Sequence, residues 1–229
     1  DRSVDVFANA VHTEQVFPAR KKARVILCTP GREQLERWAE GWTGYEGVAG
    51  CGRIEALPAV FARDRMDIGS RLLLPHVVEA AGAAPAGTRV LDLACGNGVL
   101  GLAALGKRPE LSVTFSDVSS QAVLSARRNT ERSFTGARAS FVHCDGVPEG
   151  EGPWDLILLN PPFHAGGVVG DHVALWLFRA ASRGLAPGGR LLMVGNRHLG
   201  YHRSLGRFFA HVRQRDASPK FVVFEADND

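Results

Sequence analysis

The sequence predicts an α/β domain built on a mostly parallel, seven-stranded sheet with one antiparallel member and helices on both faces. Short apolar runs alternate with helix-period segments from Arg89 onward, a glycine-rich turn separates the first such run from its helix, and the chain closes on two strand-like runs. Taken in order, "RVLDLAC" (Arg89 to Cys95) reads as a buried strand, and "GNGVLGLAALGK" starts a helix through the glycine turn. "SVTFSD" (Ser112 to Asp117) is the second strand. "SSQAVLSARRNTER" offers Ser119 or Ser120 as N-cap, with Ala122, Val123 and Ala126 at helical spacing. "SFVHCD" (Ser140 to Asp145) and "WDLILLN" (Trp154 to Asn160) are the third and fourth strands. "DHVALWLFRAASRGL" reads as a helix stopped by Pro187, Gly188 and Gly189, and "RLLMVGN" (Arg190 to Asn196) as the fifth strand. A helix from Tyr201 to Phe209, a weak sixth strand in "FAHVRQRD" and a seventh in "KFVVFEA" complete the series. Ahead of this domain, "ARVILC" (Ala23 to Cys28) reads as a strand, "REQLERWAEGW" (Arg32 to Trp42) as a helix and "TGYEGVAGCG" (Thr43 to Gly52) as a loop.

The chain has 229 residues, 45 % hydrophobic and 22 % charged, ordinary values for a protein with a full core. No apolar run approaches the roughly 20 residues of a membrane span, and no signal-peptide pattern opens the sequence, so a cytoplasmic protein is expected. The first residue is Asp1 rather than Met, and the early segment has the composition of mid-protein sequence, as in a piece of a longer chain. Cys28, Cys51, Cys95 and Cys144 lie far apart with no C-x-x-C pair, which argues against a zinc ribbon or a disulfide scaffold; no metal is expected. The net charge is +3, unevenly spread. Between Arg183 and Lys220, eight arginines and lysines face Asp216 alone, and Arg20, Lys21, Lys22 and Arg24 form a second cluster. Such runs are either solvated faces or a phosphate-facing surface, and the second makes nucleic acid a reasonable partner.

"DLACGNGVLG" places Gly96, Gly98 and Gly101 in a G-x-G-x-x-G arrangement directly after a strand, where the free N–H groups of a helix start can meet a ligand. Asp117, 21 residues beyond Gly96, ends the second strand, where a carboxylate can accept from ribose hydroxyls. A nicotinamide oxidoreductase would offer the same two features. Asp92 on the first strand and Asp145 at the end of the third tip the balance, because carboxylates at successive strand ends suit an ammonium, a ribose and an adenine. S-adenosylmethionine carries all three, whereas a pyrophosphate dinucleotide gains little from an acid beside its phosphates.

The fourth strand ends in Asn160, Pro161, Pro162 and Phe163. Two prolines discard two backbone donors and fix two φ angles, so the strand stops there. An exocyclic amine on a nucleobase is a poor nucleophile, its lone pair being delocalised into the ring. The side-chain oxygen of Asn160 and the carbonyl of Pro161 can accept its two N–H bonds, and Phe163 can stack on a flipped or unpaired base.

These motifs resemble the class I S-adenosylmethionine-dependent amino-methyltransferases, with their Rossmann-like sheet. More narrowly, the chain is similar to the RsmC/RlmG family of ribosomal RNA guanine-N2 methyltransferases, on "VFARDRMDIGSRLLL", "VLDLACGNGVLGL", "NPPFH" and "GNRHLGY…KFVVFEA". "NPPFH" together with "NRHL" and "KFVV" points to the large-subunit (23S) branch over the small-subunit (16S) one. The N-P-P-[FY] core is shared with adenine-N6 and glutamine-N5 methyltransferases, which remain alternatives, as does a donor-binding RNA chaperone or assembly factor. The resemblance implies methyl transfer without covalent intermediate, from S-adenosylmethionine to ribosomal RNA, leaving S-adenosylhomocysteine. Nothing in the sequence demands more than a monomer, which is therefore expected. It implies that 1–58 is the remnant of an N-terminal domain plus linker, and 59–229 the methyltransferase domain. Residue by residue, it assigns donor binding to Asp92, Gly96, Gly98, Asp117 and Asp145, flanked by Ala94, Asn97, Val118 and Gly146. Asp67, Gly69 and Ser70 would lie near the methionine end of the donor, with Phe61 near the cleft. Asn160, Pro161 and Phe163 would hold the guanine, Asn160 also facing the donor, with Pro162 beside them. His164 would orient the base, accept the released proton through water, or cap the next segment. Arg197 and His198 would touch RNA backbone or satisfy local carbonyls.

Overall fold

The computed structural model describes residues 11–19, 24–30, 41–48, 50–162 and 170–229 and divides into two units, Asp1–Gly41 and Trp42–Asp229. In the first, strands β1 (Val11–Val16) and β2 (Ile26–Pro30) pair antiparallel around a bulge between Thr13 and Gln15. The strand expected from Ala23 thus begins at Ile26. Of the helix expected over Arg32 to Trp42, all but the last two residues lie outside the described residues, as do Arg20, Lys21 and Lys22.

The second unit opens with a hairpin, β3 (Thr43–Glu46) and β4 (Arg53–Ala56), where a loop was expected. It continues with α1 (Ile68–Ala83), β5 (Arg89–Leu93), α2 (Val99–Lys107), β6 (Ser112–Asp117), α3 (Ser120–Ser133), β7 (Arg138–His143) and β8 (Trp154–Leu159). Then come α4 (Gly170–Gly184), β9 (Leu185–Asn196), a 3₁₀ turn (Arg197–Leu199), α5 (Tyr201–Leu205), β10 (His211–Ala217) and β11 (Phe221–Asp227). The strands form one sheet in the order β10-β11-β9-β8-β5-β6-β7. β5 to β9 run parallel, and β11 pairs antiparallel with both its neighbours, as the sequence predicts. Among the described residues no helix is long and apolar enough to cross a membrane.

The pleat sorts the core into two layers. On β8, Leu156 and Leu158 pack with α1 and α2 residues such as Leu73 and Leu102, while Ile157 and Leu159 pack on the other face with Phe178 of α4 and Tyr201 of α5. Asp67 and Ser119 cap α1 and α3, their side chains accepting from Ser70 N at 2.9 Å and Ala122 N at 3.3 Å.

Three boundaries differ in ways that matter for the site. β7 ends at His143, so Asp145 lies past the strand rather than at its end. α5 stops at Leu205, short of the Phe209 read from the sequence. The compact unit starts at Trp42, whereas the sequence put a boundary at 58; β4 is already part of the core, with Ile54 and Ala56 buried.

Candidate active site

Strand order reverses around β5, with β6 and β7 on one side and β8 and β9 on the other, and the crevice at that point is where open α/β sheets bind ligands. A cavity of about 580 Å³ opens there, between the glycine loop, the end of β6, the end of β8 and residues 59–62. That volume is in the range that holds a small-molecule ligand. Among the described residues its lining includes Asp67, Asp92 and Asp117 and no Lys or Arg, which favours a cation.

The loop is held by those same acids. Asp117 accepts from Gly96 N at 2.9 Å through one oxygen and from Ser119 N at 2.8 Å through the other. Asp92 is 1 % exposed and accepts from Gly101 N at 2.8 Å, in the first turn of α2. Burial pushes its carboxyl up to about 8, the Gly101 N–H pulls it down, and the nearby Asp117 charge adds to the rise. Gly101 is required for this close approach, since a Cβ there would meet the Phe115 ring at 2.4 Å. Ala59, Ala62 and Ala94 carry φ of 67°, 54° and 55°, the only non-glycine residues at positive φ among those described. All three line the cavity. The left-handed conformation costs a residue with a Cβ about 1–2 kcal/mol, and such strain concentrates at functional sites.

Asn160 closes the other side. Its Nδ2 donates to Asp67 Oδ2 at 3.0 Å and to Ser70 Oγ at 2.9 Å. The carboxylate is an acceptor only, so these bonds fix which way the amide faces. Oδ1 is buried and has no partner among the described residues. An unsatisfied buried acceptor costs roughly 1–3 kcal/mol, so the site holds an acceptor ready for an N–H or O–H donor.

The hairpin is bolted to the glycine loop by Asn129 of α3, which is 0 % exposed. Its Oδ1 accepts from Glu55 N at 3.0 Å, and its Nδ2 donates to Glu55 O at 2.7 Å and to the loop carbonyl Asn97 O at 3.0 Å. Asn97 Nδ2 in turn reaches Tyr45 Oη at 3.2 Å and Ala62 O at 3.4 Å. Tyr45 lines the cavity, its hydroxyl held above the usual range by burial. Sequence reasoning missed Tyr45 and Asn129, whose partners lie tens of residues away.

Of the expected site residues, Phe61, Asp67, Ser70, Asp92, Ala94 and Gly96 line the cavity. So do Asn97, Asp117, Val118, Asn160, Pro161 and Pro162. Gly98 does not: it caps α2 at φ 84° and packs on Ala126 and Phe115. Gly69 is buried in α1, where its bare Cα leaves room for Asp67 and Phe221. Asp145 and Gly146 are absent from this lining; Asp145 is exposed on a neighbouring groove. Arg197 and His198 sit on the 3₁₀ turn away from the lining, and Arg197 Nη2 donates to Ser218 O at 2.9 Å. Phe163 and His164 lie outside the described residues.

A seven-stranded sheet with one antiparallel member and a glycine loop at the switch point is the fold of the class I methyltransferases. Residues 52–225 match the family described as methyltransferase small domain, and the chain belongs to that family. The ribosomal RNA large subunit methyltransferase G of Alcanivorax borkumensis is 48 % identical over 212 residues, covering 92 % of this chain and 50 % of that relative. The protein so named from Pseudomonas putida is 40 % identical over 223 residues, covering 97 % and 58 %. The chain therefore spans about half the length of the curated relatives it matches. Among solved structures, a Thermus thermophilus 16S rRNA N2 G1207 methyltransferase (RsmC), in complex with AdoMet and guanosine, superposes with a TM-score of 0.79 at 27 % identity, covering 98 % of this chain and 60 % of that one. A methyltransferase from Pyrococcus furiosus shares the fold at TM-score 0.54 and 19 % identity.

Proposed function

We propose that this chain is the S-adenosylmethionine-dependent part of a ribosomal RNA methyltransferase acting on the exocyclic N2 of a guanine in large-subunit RNA. The observation that carries the reading is the buried Asn160 Oδ1, which has no partner among the described residues and is turned by Asp67 and Ser70. The relatives named for large-subunit RNA and the neighbour holding AdoMet and guanosine support the donor and acceptor assignments.

The residues present fit the donor. The charged residues described in the lining are all acids, which suits its positive charge, and Asp92, whose carboxyl burial makes costly to ionise, gains from a cation nearby. Asp117 and the Gly96 turn would hold the ribose side, with Val118 beside them. When bound, S-adenosylmethionine supplies an electrophilic methyl group on its sulfonium. The chain's own contribution is orientation. Asn160 Oδ1 and the Pro161 carbonyl accept the two N–H bonds of the amine, turning its lone pair toward the donor side. Because Asp67 and Ser70 hold the amide and Pro161 is rigid, little reorganisation is needed during reaction. The segment ahead of the methyltransferase unit belongs, in this reading, to an N-terminal domain that helps hold RNA, in keeping with the partial coverage of the relatives.

The test is to incubate the protein with labelled S-adenosylmethionine and protein-free large- and small-subunit rRNA lacking the modification, then digest to nucleosides and identify the products by mass spectrometry. N2-methylguanosine in large-subunit RNA is expected. The same product in small-subunit RNA alone would move the substrate, and N6-methyladenosine would overturn the base assignment. S-adenosylhomocysteine binding with no label in any RNA would leave a donor-binding RNA chaperone.

A further inference from the structure

A second concavity adjoins the first across one pair of loops. Cys144 N donates to Asp117 O at 3.1 Å and Ser116 Oγ to Gly146 O at 3.2 Å, so the wall of the cavity is also the wall of a groove of about 970 Å³ between residues 144–150 and α4. Trp176, Arg179 and Arg183 enter the groove from α4 at i, i+3 and i+7, which puts them on one stripe of the helix. The indole is 43 % exposed. It lies over the backbone at Gly146, where a Cβ would meet the ring at 2.1 Å and where φ is +90°. Only glycine leaves the ring in that place, so its position is built into the loop.

Arg179 and Arg183 are exposed and form no ion pair with a described residue, although Asp145 and Glu149 line the same groove. An exposed, backbone-supported indole beside two uncommitted guanidiniums is the arrangement that binds single-stranded nucleic acid, a base stacking on the ring and phosphates meeting the cations. Neighbouring positions on such a stripe are about 5–6 Å apart, close to the spacing of successive phosphates on a strand. Asp145 stands where a carboxylate can accept from a base N–H. A purely apolar partner segment would have to desolvate two cations and two carboxylates without return.

We propose that this groove holds a nucleotide of the RNA strand next to the target guanine, its base on Trp176 and its phosphates on Arg179 and Arg183. The proposal rests on the RNA reading above. It makes Trp176 a substrate-positioning residue that fixes the strand as the target base enters the cavity.

The experiment measures binding of a fluorescently labelled, guanine-containing single-stranded RNA by anisotropy, with S-adenosylhomocysteine saturating and its own affinity followed by calorimetry. Trp176→Ala is expected to weaken RNA binding about 10-fold, within the range for loss of one stacked base, and Trp176→Phe to recover most of it. Arg179→Gln and Arg183→Gln should each lower the slope of log affinity against log salt by about 0.7. S-adenosylhomocysteine affinity should be unchanged in all four. Wild-type RNA affinity with no change in Trp176→Ala would overturn the groove and leave the RNA reading standing. Loss of S-adenosylhomocysteine binding in Trp176→Ala and Trp176→Phe alike would make the indole structural and also overturn it. No RNA affinity in the wild-type chain, with normal S-adenosylhomocysteine binding, would sink both.

Discussion

The crevice beside β5 and the antiparallel edge made by β10 and β11 treat polar side chains in opposite ways. On the edge, Arg213 meets Glu225 at 3.1 Å and Asp227 at 2.9 Å, Arg215 meets Glu79 at 3.4 Å, and His211 meets Asp227 at 3.0 Å. His76 of α1 meets Asp216 at 3.2 Å, and the shared proton holds that carboxyl below its usual range. In the crevice and among the described residues, Asp92 has one backbone N–H for a charge that burial makes costly, and Asn160 Oδ1 has no partner. Polar groups that answer one another belong to the folding of the edge. In the crevice, the unanswered Asn160 Oδ1 marks where a ligand completes the structure. His76 Nδ1 beside the edge is likewise buried without a hydrogen-bond partner among the described residues, but it lies outside the crevice. Within the basic run read from Arg183 to Lys220, Arg213 and Arg215 are neutralised in place, whereas Arg183, like Arg179 just outside the run, forms no ion pair with a described residue.

The comparison can be broken first at Asn160. Asn160→Ala should slow methyl transfer by about 10²- to 10³-fold, the usual loss when one preorganised hydrogen-bonding group is removed from a transition-state contact. Single-turnover labelling measures it, and S-adenosylhomocysteine affinity should stay close to wild type.

Asp92→Asn should weaken S-adenosylhomocysteine binding about 10-fold, by titration calorimetry, and steady the unliganded protein. The folded carboxyl titrates near 8 against an ordinary 3.8. Between those values the native state keeps a proton that the unfolded chain has released, so wild-type stability falls as pH rises from about 4 to about 8. The melting temperature of the variant should gain on wild type across that window and level off above it. Donor affinity of the wild type should climb toward pH 8, with a proton released on binding, and this dependence should flatten in the variant.

Ser70→Ala leaves Asp67 as the sole acceptor for Asn160 Nδ2. A lost hydrogen bond of about 1 kcal/mol predicts a roughly 5-fold slower transfer, with S-adenosylhomocysteine affinity unchanged. On the answered side, Arg213→Gln should cost less than about 1 kcal/mol in chemical denaturation, because the guanidinium is half exposed, and leave methyl transfer untouched.

Much of the crevice was legible because it is local. The run from Arg89, the glycines and the Asn160-Pro161-Pro162 stop each sit within a few residues of the element they define, and apolar runs such as "WDLILL" carry the two-layer core in their alternation. What escaped is long-range. "TGYEG" reads as a loop because of its glycines, yet Gly44 pairs so closely with β4 that a Cβ would strike Ile54 O at 2.0 Å. The hairpin's place against the glycine loop depends on Asn129, 74 residues from Glu55. Asp145 was placed at a strand end by a two-residue error in β7, enough to move it from the cavity lining to the groove. The pairing of Arg213 follows from the β10–β11 register, which sets it opposite Glu225, and that of Arg215 from Glu79 on α1; charge counting contains neither.

The most direct measurement is a crystal structure of the chain with S-adenosylhomocysteine and guanosine. The account predicts the guanine N2 within about 2.7–3.2 Å of Asn160 Oδ1, with Nδ2 still on Asp67 and Ser70. A guanine bound with N2 turned away from Asn160, while Oδ1 is satisfied by another donor, would contradict it.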